Sequence, residues 1–256
     1  MNLEDISPTR IADLKTFETV LDEIHGLFRG VVPYWRGHAD REWALRAEVF
    51  RNTAYRENSL LRYFMAHGES RIQRPPASSD HLGWLMLARH FGLPTRLLDW
   101  SQSPLVALWF AVQDERNAKD GCLWAVHAGN LNNDMIGRNQ LLSPDSPEVE
   151  RLIRPAFAFE HTDPDPGITG MALAIGTREI DPRVLAQQGA FTIHADNRNL
   201  AFAPMSGSCW RRVFIVPKEV KSDVRIWLRR LGFNKSTLFP DLGALAEDLK
   251  ERFIEG

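Results

Sequence analysis

The chain has few cysteines, no long apolar run and no surplus of charge of either sign, and each shortage closes off a class of protein. Two cysteines in 256 residues, Cys122 and Cys209, stand far apart and outside any metal-ligand spacing. That excludes a disulfide scaffold, leaves no metal expected, and fits a reduced, cytoplasmic compartment. The longest apolar stretch, Pro104 to Val112, is well short of the roughly 20 residues that span a bilayer, so no membrane partner is expected. The opening Met1-Asn-Leu-Glu-Asp-Ile6 lacks the basic and apolar regions of a secretory signal. Lys and Arg number 31 against 33 Asp and Glu, a formal net charge of −2, which gives no global pull toward nucleic acid or membrane. Missing too are a glycine-rich phosphate loop, His-Glu-x-x-His, Cys-x-x-Cys and Gly-x-Ser-x-Gly.

What is present is an ordinary globular composition, 44% hydrophobic and 25% charged. A chain of this length buries about 70% of its unfolded surface. A single domain over residues 1–256 is expected, interrupted by an irregular insert at about 130–182, where Pro144, Pro147, Pro155, Pro164, Pro166 and Pro182 alternate with Asp, Asn and Gly. Helices are expected at about Ile11 to Leu27, Arg56 to Ile72, His81 to Phe91, Lys218 to Leu231 and Asp241 to Phe253. Asp80 and Asp241 serve as N-caps, and Gly92 and Gly232 as stops. Ser103-Pro104 supplies the cap and first-turn proline of a helix that is apolar all round, and therefore buried. Strands are expected at Val31 to Trp35, Cys122 to His127, Phe191 to Ala195 and Arg212 to Val216. Helices early and late, with strands between, give an α+β class: a mixed or antiparallel central sheet flanked by helices.

Two dense polar segments carry the chemistry. In the first, Arg36 follows an apolar strand and precedes Gly37, then His38, Asp40, Arg41, Glu42 and Trp43. A guanidinium there can fork onto a phosphate, and Gly37 admits a ligand or another backbone. The alternative is a structural arginine tying loops through carbonyls. The second segment, His90 to Ser103, sets His90, Arg96, Asp99, Trp100, Ser101 and Ser103 in apolar surroundings, where charges are paired or used. One reading pairs Arg96 with Asp99 across a turn and leaves Ser103 as a cap. His90 is a candidate base, or a structural helix-end residue. Gln187-Gln188-Gly189 before Phe191 either reads a base or amide, or satisfies a turn. Arg211-Arg212 and Arg229-Arg230 read as solvated faces.

Taken together, Tyr34-Trp-Arg-Gly37 followed by Trp43, Leu45 and Phe50-Arg51, then Gly92-Leu-Pro-Thr-Arg-Leu-Leu-Asp-Trp-Ser101, Ser103-Pro104 and Ala107-Leu-Trp-Phe-Ala111, resemble the FRG domain family. Gln187 to Thr192 and Leu231 to Leu242 extend the likeness almost end to end. A literal Phe28-Arg-Gly30 also occurs, but the flanking spacing favours the Tyr34 block. Trp35 stands where Phe is common, and Arg89 where the family tends to have Gln. The family is met near bacterial toxin and anti-phage defence genes, which implies an effector role. A weaker likeness, to ADP-ribosyltransferases, rests on the order of a strand-Arg-Gly, a Ser-x-Ser turn before a buried helix, and a late Gln-bearing strand. It implies NAD as the cofactor, with Arg36 on the pyrophosphate, Ser101 or Ser103 at the nicotinamide pocket and Gln188 at the place of a catalytic Glu. Gln188 cannot act as a carboxylate, so Asp99, Glu160 or Glu179 would have to serve. The expectation is an NAD-using effector with Arg36, Asp99, His90 and Gln188 as catalytic candidates. Gly37, Arg96, Trp100, Ser101, Ser103, Gln187 and Phe191 are the substrate-binding candidates. Its partners would be a nucleotide-type small molecule and a protein or nucleic-acid acceptor. The alternatives are a nuclease using His90, Arg36 and Arg96, and a nucleotide-sensing module without catalysis.

Overall fold

A computed structural model describes residues 9–113, 119–158, 165–177, 182–205 and 209–254. Six strands form one sheet: β1 (Tyr34–His38), β2 (Leu97–Ser101), β3 (Gly121–Val126), β4 (Ala172–Ile175), β5 (Gly189–His194) and β6 (Arg211–Val216). Their order is β4-β5-β2-β1-β3-β6, and every neighbouring pair is antiparallel. With helices packed on this sheet, the class is α+β.

Alternation along the strands sends Tyr34, Leu98, Trp100, Cys122, Trp124 and Ile215 to one continuous core face. The other face is covered by two separate helix groups. Over β1, β3 and β6 lie α1 (Leu14–Phe28), α4 (Pro104–Val112) and α8 (Lys221–Arg230), packed on Trp35, Leu123, Ala125 and Phe214. Over β2, β5 and β4 lie α2 (Glu57–Gly68), α3 (His81–His90) and α6 (Pro147–Phe157), packed on Leu97, Leu173, Phe191 and Ile193. The remaining helices are α5 (Ala128–Ile136), α7 (Pro182–Ala186), α9 (Lys235–Leu238) and α10 (Leu242–Ile254).

The seam between the two helix groups falls where the sheet itself is weakest. β1 and β3 share five register pairs, as do β2 and β5, but β1 and β2 share a single one, Trp35 with Ser101. Beyond that pair the two central strands part. Gly37 lies on this stretch of β1 because α4 crosses it directly: a Cβ there would sit 1.8 Å from the Ala107 carbonyl oxygen and 2.6 Å from the Ala111 amide. The close approach belongs to another backbone, one of the two options the sequence left open.

Three expectations need correction. The first helix begins at Leu14, because Asp13 and Thr16 form a reciprocal capping box there; Ile11 instead donates its amide to the Ile215 carbonyl at 2.8 Å. Leu14 is exposed, while Val20 and Phe28 are buried. The first strand starts at Tyr34 rather than Val31, since Pro33 has no N–H to give a ladder, and Val31 and Val32 are exposed. Arg36 is thus the middle of a strand, not its end. The insert is far more regular than its prolines suggest: α5, α6 and β4 occupy it, with Pro147 at the first turn of α6.

Candidate functional site

A cavity of about 380 Å³ opens at the seam, floored by the parted strands β1 and β2. α3 brings Met86, Arg89 and His90, α4 brings Val106, Ala107 and Phe110, and α7 brings Arg183 and Val184. Trp35, Trp100, Phe110 and Phe191 give it an aromatic lining. A site that is mostly apolar with a few convergent charges is the usual form of a small-ligand pocket.

Arg36 fills the opening between the strands. By alternation it belongs with Tyr34 and His38 on the opposite face. Its Nη1 nevertheless donates to the Asp99 carbonyl at 2.6 Å, taking up an acceptor for which the parted strand offers no ladder partner. Its Nε donates to His38 Nε2 at 2.9 Å. That bond requires a neutral His38, and burial together with the Arg36 charge holds His38 well below the usual histidine range. Burial and the nearby Arg51 and Arg89 charges lower Arg36 to about 10 despite Asp99, which leaves it protonated at neutral pH.

Asp99 is the hub of the charges. Arg89 grips it by two nitrogens, Nη2 to Oδ2 at 2.6 Å and Nε to Oδ2 at 3.0 Å, while Arg36 Nη1 stands 3.9 Å from Oδ2. Burial alone would raise its pKa, but the charges of Arg89, Arg36 and Arg183 and the Arg89 hydrogen bonds outweigh it, so Asp99 is an anion below the usual carboxylate range. Arg89 also contacts Glu48 through Nη1. Burial disfavours the charge of Arg89, but Asp99 and Glu48 more than compensate and raise its pKa.

Behind the cavity wall runs a buried polar chain. The Trp100 indole donates to the Thr192 hydroxyl at 2.9 Å, and that hydroxyl lies 2.9 Å from His194 Nε2. Since indole only donates, Thr192 accepts from Trp100, which leaves its own proton available to a neutral His194. Burial, then the Arg36 charge, pulls His194 down to about 3.

Of the residues singled out from sequence, Arg36, Gly37, His90, Asp99, Trp100, Ser101, Gln187 and Phe191 meet at this cavity. Ser101 is committed to structure within it, donating to the Gln187 carbonyl at 2.7 Å and accepting from the Ser103 amide at 2.9 Å. Ser103 caps α4 through the Val106 amide, and Gln187 ties α7 to the Leu238 carbonyl. Ser103 is therefore outside the cavity lining, and two more candidates lie elsewhere. Arg96 does not pair with Asp99: it is buried against Glu57, with Nη2 to Oε2 at 2.7 Å, Nε to Oε2 at 3.0 Å and its amide on Oε1. Gln188 turns outward in a left-handed conformation, φ 46°, its carbonyl accepting from the Gln102 amide. Glu160 and Glu179 lie outside the described residues.

Glu48, Arg89 and Arg183 were not anticipated. Only Arg89 left a trace in the sequence, as a departure from the FRG pattern beside His90. The other two come from a short 3₁₀ turn and a five-residue helix with no spacing signal. Among the described residues, no group of His, Cys, Asp and Glu is arranged to hold a metal ion, and no helix is long and apolar enough to cross a membrane.

The stretch that builds β1, the Glu48 turn, α3, β2 and α4 coincides with a family match. Residues 33–120 match the FRG domain. Over that stretch the chain is similar to the FRG domain. No curated protein and no solved structure matches it. The FRG segment supplies the Arg36, Glu48, Arg89 and Asp99 cluster, while Arg183, Gln187 and Phe191 come from beyond its matched span.

Proposed function

We propose that the FRG domain binds a nucleotide diphosphate diester at the seam, and that the ligand is NAD, cleaved at its nicotinamide glycosidic bond. One observation carries the reading: three guanidiniums, Arg36, Arg89 and Arg183, line the cavity with two carboxylates, Asp99 and Glu48, beside an aromatic wall. One positive charge in excess at the lining, with the Arg51 charge close enough to act on Asp99 and Glu48, suits the negative charge of a pyrophosphate diester, and Phe110 and Phe191 give the lining rings for a planar group to lie against.

Asp99 then supplies the chemistry. When the C1′–N bond breaks, the electron pair leaves with nicotinamide, which becomes neutral, and positive charge develops on the ribose C1′ and ring oxygen. An anionic Asp99, fixed in advance by Arg89, stabilises that charge without reorganising. Water or an acceptor oxygen or nitrogen adds to C1′ and releases its proton to solvent. Gln188 takes no part, because it is exposed and does not belong to the cavity lining. The nuclease alternative needs His90, Arg36 and Arg96 together, and Arg96 is spent on Glu57. An NAD-consuming activity of this kind suits a bacterial toxin or anti-phage effector acting in the cytoplasm.

The test is nicotinamide release from NAD by purified protein, alone and with a cell extract as acceptor pool. Release is expected to fall by about 10²–10³ in Asp99→Asn, the usual cost of removing one preorganised electrostatic group. Undiminished release by a folded Asp99→Asn protein overturns the assignment.

A further inference from the structure

Away from the cavity, the helix α10 is barely buried. Of its described side chains only Ala244 is enclosed, while Leu242 is 82%, Phe253 77%, Leu249 43% and Leu245 42% exposed. A helix of 13 residues is marginal by its own propensity and normally leans on a packed apolar face. Here the apolar face looks outward.

The two sides of α10 separate by helical spacing. Leu242, Leu245, Leu249 and Phe253 follow at intervals of three, four and four, and so form one stripe. The acids of the reverse side are engaged by the molecule itself. Glu247 pairs with Lys235, Glu251 pairs with Arg229, and Asp248 Oδ2 accepts from the Ser236 amide at 2.6 Å. They hold α10 to α9 and α8 and leave the stripe facing solvent.

Opposite charges stand at the two ends of one flank. Asp241 is exposed at the N-terminal end, where its Oδ1 caps the helix by accepting from the Ala244 amide at 2.9 Å. Arg252 is exposed at the C-terminal end. Helical rotation sets both on the same side of the stripe. A second α10 turned end for end about a two-fold axis therefore brings its Arg252 opposite Asp241. The same register sets Leu245 opposite the second copy's Leu249, and Leu242 opposite its Phe253, each to within one residue. A parallel pair would instead oppose Asp241 to Asp241 and Arg252 to Arg252.

We propose that this stripe is the two-fold interface of a homodimer, with α10 paired antiparallel to α10 of a second copy. An isologous contact lets one patch serve both subunits. An unrelated partner would need its own matching stripe with a cation at one end and an anion at the other, which a second copy has by symmetry. A single helix about 20 Å long covers less than the roughly 800 Å² per partner of a standard interface, so the dimer forms in a concentration-dependent way. The proposal stands apart from the NAD reading, and its test uses no nucleotide.

The experiment is analytical ultracentrifugation of the full chain over a micromolar concentration series, with disulfide trapping as a second readout. The mass is expected to rise from one chain toward two. Leu245→Glu with Leu249→Glu should weaken association about tenfold or more, because like charges would meet across the two-fold axis. Leu141→Glu, at a comparably exposed leucine outside the helix, should leave association unchanged. These leucines are exposed, so the substitutions leave the core intact. Trapping uses protein with Cys209→Ser, in which only the buried Cys122 remains. Protein with Leu242→Cys should form an intermolecular disulfide when mixed with protein carrying Phe253→Cys. Neither should trap with itself, because like positions lie roughly 16 Å apart along an antiparallel pair, too far to bridge. A monomer at every concentration, association indifferent to the double leucine substitution, or trapping of each variant with itself in place of the mixed pair overturns the proposal.

Discussion

Two arginine–carboxylate constellations grow from the same ten-residue segment, and they do opposite jobs. Arg96 and Glu57 are both under a tenth exposed, and the carboxylate meets the arginine's backbone amide, Nε and Nη2. Nothing remains for a ligand, and the pair fastens β2 to α2. Three residues on, Asp99 has a side chain 39% exposed at a cavity wall, and its arginines are shared with Glu48, His38 and a backbone carbonyl. The lesson is that charge identity does not separate scaffold from site. Completeness of pairing and burial of the charged groups do.

The sharpest way to break the comparison is to remove one member of the closed pair. Glu57→Ala leaves a buried guanidinium without its counter-ion, which costs about 3–5 kcal/mol. Denaturant unfolding should show that loss, whereas Asp99→Asn should unfold at nearly the native midpoint. Equal losses would erase the distinction between the two constellations.

Gly37→Ala comes next. Its new Cβ would overlap the α4 backbone at Ala107, so α4 must retreat from β1, with a cost in the range of about 1–3 kcal/mol for overpacking. Thermal unfolding measures it, and loss of NAD binding should accompany it because α4 is also a cavity wall.

Acid tests the buried histidines that back the site. His38 and His194 are held neutral in the fold, with pKa values below the unfolded one. Their stabilising contribution is present above the unfolded pKa of about 6.5 and is lost as pH falls below it, because the unfolded chain takes up protons that the fold refuses. Each adds a slope of up to about 1.4 kcal/mol per pH unit below that point. Urea unfolding at pH 7 and pH 5 should show the loss, and His194→Gln should remove part of the slope.

The smallest expected effect is at Ser103, whose hydroxyl only caps α4. Ser103→Ala should cost about 1 kcal/mol and leave NAD turnover in the folded protein unchanged.

Much of this architecture was legible in the chain. The caps at Asp80, Ser103 and Asp241, the stop at Gly92 and the buried helix α4 follow from local chemistry, which residues a few positions apart decide. The class and most strands followed from periodicity. In the insert, proline was read as a breaker where Pro147 in fact starts a helix, and the four buried residues of β4 are too few to show a period. At the site, Arg36, Asp99 and their neighbours stood out through local density. The partners did not, because Glu48 and Arg183 reach the cavity by tertiary contact, and the Arg96–Glu57 pair spans 39 positions of sequence.

The most direct measurement is calorimetric titration of ADP-ribose and of adenosine into the native protein and into Arg36→Gln. The account predicts that ADP-ribose binds the native protein much more tightly than adenosine does, and that Arg36→Gln removes most of this advantage while the protein stays folded. Equal affinity for the two ligands, or an advantage untouched by Arg36→Gln, would contradict a pyrophosphate site at the parting of β1 and β2.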